Sequence, residues 1–120
     1  MKKILVVDDE SSMRLLITAS LEDENYELYE AEDGNKGLEM ARKYLPDLII
    51  LDMMMPGITG LEVCQKLRSN PETSKITVLM LTAKGQQKDQ QDALGAGVDF
   101  YMAKPFSPSK LIIKVKEILS

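Results

Sequence analysis

The chain reads as an α/β protein with a parallel sheet covered by helices on both sides, and three observations predict this. Short apolar runs recur along it, helix-patterned segments lie between them, and its most chemically capable polar residues stand where those runs end. The runs are Ile4 to Val7, Leu48 to Leu51, Ile76 to Leu81 and Val98 to Met102. The first three lack the polar alternation of a half-wet strand, so they read as strands buried on both faces. Alternating strand and helix favours a parallel sheet wound on both sides. Ligands of such sheets bind outside the carboxyl ends of the strands, where the strand order reverses.

The helices follow from caps and spacing. The first spans about Ser11 to Glu22, with Met13, Leu16, Ile17 and Leu21 on one stripe and Arg14 and Glu22 toward water. The second starts at Asp33, a good N-cap, carries Leu38, Ala41 and Leu45 inward and stops before Pro46. Thr59-Gly60-Leu61-Glu62 fits a capping box opening the third, which ends in the polar turn Ser69-Asn70-Pro71-Glu72. A fourth segment, Gly85 to Leu94, has only two apolar residues near its end, so little burial holds it and it is expected to be the most mobile helix. The last has Ser107 as N-cap, Pro108 at the first helical position, and Leu111, Ile112, Val115, Ile118 and Leu119 at helical spacing.

Composition excludes several chemistries. A length of 120 residues fits one domain, taken here as residues 1–120, with room for a core but not for a second module. No apolar stretch approaches the roughly 20 residues of a membrane span, and the apolar run after Met1-Lys2-Lys3 is too short for a signal peptide, so a cytoplasmic location is expected. A net charge of -4 leaves no basic footprint for nucleic acid. There is no histidine and only one cysteine, Cys64, so histidine-based triads and histidine or thiolate zinc sites are impossible. Cys64 sits on the third helix's apolar stripe and reads as a core thiol. The seven glycines form neither a Walker loop nor a dinucleotide fingerprint. Any phosphoryl group must therefore arrive on another molecule.

The residues that carry chemistry are Asp8, Asp9, Asp52, Thr82 and Lys104. In the flavodoxin-like strand order 2-1-3-4-5, the first and third strands are neighbours, about 4.8 Å apart, so the three aspartates converge. Two carboxylates about 5 Å apart repel by roughly 3 kcal/mol at an effective dielectric near 20, which invites a cation. Hard oxygen donors suit Mg²⁺, with Mn²⁺ as an alternative. Asp52 can then act as a nucleophile on phosphorus, Lys104 can offset the charge of the transferring group, and the Thr82 hydroxyl can donate to it.

At these positions the chain resembles the response-regulator receiver domains of two-component signalling systems. The matching pieces run in order through the whole chain: Ile4 to Glu10, Asp47 to Gly60, Leu81-Thr82-Ala83, Gly95 to Asp99 and Lys104-Pro105-Phe106. The resemblance implies a flavodoxin-like doubly wound (βα)5 sandwich with a five-stranded parallel sheet. It implies that Asp52 is the phosphoacceptor, that Asp9 ligates the metal directly and that Asp8 holds it through water. Met54 matches the position whose backbone carbonyl completes the metal shell. Lys104 matches the phosphate-pairing lysine, Thr82 the hydroxyl that moves toward the phosphoryl group, and Tyr101 the aromatic that then rotates inward. The Lys104-Pro105 bond is expected to be cis, an isomer found in only about 5% of X-Pro bonds.

Taken singly, these residues have plainer readings: Asp9 as a helix cap, Thr82 as structural, Lys104 as solvated, Tyr101 as a packed aromatic, and Met53 and Met55 as adaptable packing. Those readings leave unexplained why five chemical groups land on one edge. The implied function is a single-domain response regulator that takes a phosphoryl group from a sensor histidine kinase onto Asp52 and acts, as a monomer, through a protein contact with no membrane or nucleic acid involved. Alternatives are a phosphorelay carrier serving a histidine phosphotransfer protein, and a degenerate receiver serving only as an interaction module. Kinase docking is expected near Ser12, Arg14 and Leu15 and the Pro105-Phe106-Ser107 loop. Met54 and Lys84 occupy the positions that tune dephosphorylation in the family; a thioether orients water poorly and a lysine can cover the phosphoryl oxygens, so slow self-hydrolysis is expected. A flavin binder is disfavoured because Asp8-Asp9-Glu10 repels a phosphate. An aspartate phosphatase is disfavoured because Met54 stands where it needs an acid.

Overall fold

Five parallel strands in the order β2-β1-β3-β4-β5 form the sheet, as the flavodoxin-like reading expects. In this computed structural model, which describes residues 1–83 and 97–120, the elements are β1 (Lys2–Val7), α1 (Ser11–Leu21), a 3-10 turn (Glu22–Glu24), β2 (Tyr26–Ala31), α2 (Gly34–Tyr44), β3 (Leu48–Asp52), α3 (Gly60–Ser69), β4 (Thr77–Ala83), β5 (Phe100–Lys104) and α4 (Pro108–Leu119). Lys84 and the expected helix from Gly85 to Leu94 lie outside the described residues. No described helix is long and apolar enough to cross a membrane.

Successive residues of the central strands feed opposite faces, which makes two cores. Leu5, Val7, Ile49, Leu51, Val78 and Met80 pack with Leu38 and Ala41 of α2 and Val63, Cys64 and Leu67 of α3. Ile4, Val6, Leu48, Ile50, Leu79 and Leu81 pack with Ile17 and Leu21 of α1 and Leu111 and Val115 of α4. Every residue of β3 is buried, the signature of a strand covered on both sides. Burial holds the Cys64 thiol above its usual pKa, in keeping with a core thiol.

The caps form as the sequence indicates. Asp33 accepts from the Lys36 N–H, Ser107 from the Lys110 N–H, and Thr59 and Glu62 complete a capping box. Several expectations are corrected. The second strand, Tyr26–Ala31, is absent from the four apolar runs because it is an edge strand of mixed burial. β5 begins at Phe100 rather than Val98, since the Asp99 carboxylate accepts from the Val78 N–H and Arg68 just before strand pairing starts. β3, β4 and β5 run on to Asp52, Ala83 and Lys104, so Asp52, Thr82 and Lys104 lie within strands rather than past them.

Three side chains also point elsewhere than expected. Leu16 is exposed, and Leu45 is exposed at a left-handed C-cap (φ 47°) rather than turned inward. Arg14 does not face water: its side chain is only 16% exposed and folds back toward the end of β1. That removes it from the exposed docking face expected with Ser12 and Leu15, both of which are exposed.

Candidate functional site

Register brings the chemical residues together. Val7 pairs with Leu51, so the acids that follow β1 stand beside Asp52 at the end of β3. Asp52 pairs with Leu81, one residue before Thr82, and Ala83 pairs with Lys104. Carboxylate oxygens of Asp8, Asp9 and Asp52 lie within 4.8 Å of one another. Asp8 and Asp52 are buried and Asp9 is exposed, so the cluster opens to solvent on one side.

Each buried group is held by specific bonds. The Asp8 N–H donates to the Ala31 carbonyl at 3.2 Å, and Asp8 Oδ1 accepts from the Glu10 N–H at 3.0 Å. Asp8 Oδ2 has no hydrogen-bond partner among the described residues and lies 3.6 Å from Lys104 Nζ. Lys104 Nζ donates to Asp52 Oδ1 at 2.9 Å. The Thr82 hydroxyl is buried and likewise has no hydrogen-bond partner among the described residues. Unsatisfied buried oxygens are rare enough to need a reason, and here both lie at the acid cluster.

The electrostatics follow from burial and proximity. Burial raises the Asp52 pKa, the Lys104 hydrogen bond works against that, and the Asp8 charge adds to it. Burial by itself lowers the Lys104 pKa, but the Asp52 hydrogen bond and the charges of Asp52, Asp8 and Glu10 outweigh it and hold the ammonium above its usual value. Among the described residues, the Lys104 ammonium faces the three carboxylates of Asp8, Asp9 and Asp52 and does not neutralise them all.

A cleft of about 430 Å³ opens over Asp52, lined by Glu10, Met13, Met54, Leu81, Ala83, Lys104 and Pro105. Met54 is 67% exposed at its mouth, whereas Met53 and Met55 are buried as packing residues. The Lys104-Pro105 bond is cis. Tyr101, paired with Met80 on β5, is 37% exposed and so turned outward. Asp8, Asp9, Asp52, Met54, Thr82, Lys104 and Pro105 come together at this edge, whereas Tyr101 stands three residues before Lys104 on β5 and does not line the cleft.

Three residues at the site carry more than their sequence reading suggests. Glu10 lines the cleft. Arg14 donates to the Asp8 carbonyl at 2.7 Å. Gly60 brings the start of α3 against the end of β3: its N–H donates to the Met53 carbonyl at 2.9 Å, and an added Cβ would fall onto the Asp52 carbonyl oxygen and within 2.8 Å of Met53 Cα. A glycine just inside a capping box is the sequence signal for such a close approach.

Comparison with known proteins agrees with this geometry. A family model described as the response regulator receiver domain matches residues 4–116. The transcriptional regulatory protein ResD of Bacillus subtilis is 44% identical over 117 residues, covering 98% of this chain and 48% of ResD. The alkaline phosphatase synthesis transcriptional regulatory protein PhoP of the same organism is 46% identical over 118 residues, with 98% and 48% covered. The chain spans about half the length of these curated relatives. Among solved structures, a putative response regulator from Chloroflexus aurantiacus superposes with a TM-score of 0.93 at 36% identity, covering 98% of this chain and 97% of that one. The chemotaxis protein CheY4 of Vibrio cholerae gives 0.92 at 33%, with 98% of each chain covered. With the sheet order, the acid cluster and the family match in agreement, this chain belongs to the response regulator receiver domain family.

Proposed function

We propose that residues 1–120 form a single receiver domain that accepts a phosphoryl group on Asp52 from the phosphohistidine of a sensor histidine kinase and then changes the face it offers to a protein partner. The observation that carries this reading is the convergence, among the described residues, of three carboxylates, the Lys104 ammonium and a buried hydroxyl without a partner at the carboxyl ends of β1, β3, β4 and β5. Receiver domains are signalling proteins that partner with histidine kinases.

In the transfer, an Asp52 carboxylate oxygen attacks phosphorus, the donor's phosphorus–nitrogen bond breaks, and the imidazole leaves with the electron pair and takes up a proton. The product is an aspartyl phosphate. Lys104, 2.9 Å from Asp52, offsets the charge spread over the equatorial oxygens. The Thr82 hydroxyl, which has no partner among the described residues, donates to the new phosphoryl oxygens, and Tyr101 turns inward behind it.

Receiver domains bind Mg²⁺ through acidic residues, and the donor set fits: all are hard oxygens, and Asp8 Oδ2 is buried without a hydrogen-bond partner. Asp9, Asp52 and the Met54 carbonyl are the direct ligands of this proposal, with Asp8 acting through water. When bound, the ion neutralises charge on the transferring group.

Incubation with a small-molecule phosphodonor and Mg²⁺, followed by intact-mass measurement, tests the reading. The parent should gain one phosphoryl group and Asp52→Ala none; an unmodified parent overturns it. A cytoplasmic location belongs to the same proposal. The relatives named as transcriptional regulatory proteins are about twice this length, which supports a second reading in which the receiver's output governs transcription.

A further inference from the structure

We propose that Arg14 is a positioning residue for the acid cluster, clamping the turn between β1 and α1 so that Asp8 and Asp9 are held ready for a divalent cation. The inference rests on the function proposed above and adds to it a residue outside the ligand set. The Arg14 guanidinium donates from Nη1 to the Asp8 carbonyl at 2.7 Å and from Nε to Glu30 on β2 at 3.2 Å. A surface ion pair leaves both partners in water, yet the Arg14 side chain is only 16% exposed against 49% for Glu30. Its shorter bond goes to the backbone of Asp8.

The turn needs such a tie. Glu10 occupies the N-cap of α1 without a side-chain cap bond, and the first turn holds no acidic residue. Asp8 is then fixed on three sides, by the Ala31 carbonyl, the Glu10 N–H and Arg14, while Oδ2 faces Lys104 at 3.6 Å with no hydrogen bond among the described residues. Orienting the residues that hold a metal by outer contacts of this kind is a general device of metal sites. Glu30, on the neighbouring strand, holds the guanidinium at the right height over the turn.

Mn²⁺ binding followed by the loss of the free-ion electron paramagnetic resonance signal tests this without relying on phosphorylation. Arg14→Ala should weaken Mn²⁺ binding by about 10-fold, and Arg14→Lys, which can make only one of the two bonds, by about threefold. Arg68→Ala supplies the control: Arg68 bonds the Gly97, Ser74 and Ile76 carbonyls and Asp99 far from the acids, so its loss should lower Tm and leave Mn²⁺ affinity unchanged. If folded Arg14→Ala, or Arg14→Lys where the alanine variant does not fold, binds Mn²⁺ as tightly as the parent, the clamp is overturned while the acid cluster stands. An equal loss of affinity in Arg68→Ala also overturns it, since general destabilisation then accounts for the effect. A parent that binds no Mn²⁺ overturns both the clamp and the functional reading beneath it.

Discussion

Asp52, the nucleophile of the proposed transfer, lies buried beside Asp8, and that conflict has a measurable consequence. Its pKa is raised above the ordinary 3.8, by burial first and by the Asp8 charge as well. The folded state therefore binds its proton more tightly than the unfolded state does. Stability from this group is fully present below pH 3.8 and is lost as pH rises through the raised value. In metal-free buffer at neutral pH, Asp52→Asn should raise stability by about 1 kcal/mol, or roughly 4 °C in Tm, with the gain vanishing toward acid pH. Thermal melts across pH check this; a lower neutral Tm in the variant contradicts it. Met54, exposed at the cleft mouth, cannot orient an attacking water. Met54→Asn should therefore shorten the lifetime of the aspartyl phosphate several-fold, read by intact mass over time; an unchanged decay refutes that role.

At the scale of elements, the caps and the close approach at α3 decide whether the site keeps its shape. Thr59→Ala removes one half of the capping box and should cost about 1 kcal/mol in denaturant unfolding. Gly60→Ala drives a methyl group into the backbone of Asp52 and Met53 and should cost more, on the order of 2 kcal/mol, while also slowing phosphoryl uptake. Equal losses in the two variants would argue against the packing account. The same elements show how far local pattern carries. Asp33, Thr59, Ser107 and Pro108 were legible as helix starts because capping is a local interaction between residues three apart. β2 was not, because Tyr26–Ala31 mixes exposed glutamates with partly buried apolar residues and is a strand only by pairing with β1.

At the scale of the whole molecule, the acids repel in the folded state and relax when the chain unfolds, so a cation that binds the folded form should stabilise it. At a concentration about 100 times its Kd, Mg²⁺ should add roughly 2.7 kcal/mol, reversibly on chelation, and Asp9→Ala should lose most of that gain. Differential scanning calorimetry with and without chelator decides it; a Tm indifferent to Mg²⁺ rules the site out. Residue order along the chain was enough to identify the strand-end acids, Thr82 and Lys104 as one chemical set, because a parallel sheet gathers its strand ends at one edge. It was also enough to expect a donor elsewhere, since the chain has no histidine. Only the tertiary structure decided that Arg14 turns inward to Asp8, that Leu16 and Leu45 stay in solvent, and that Asp8 Oδ2 and the Thr82 hydroxyl have no hydrogen-bond partner among the described residues. The physical reason is range. Periodicity and capping act within a few residues and are written locally, whereas the direction of a long side chain depends on partners as distant as Glu30 on another strand. Which buried oxygen goes unpaired depends on every neighbour packed around it.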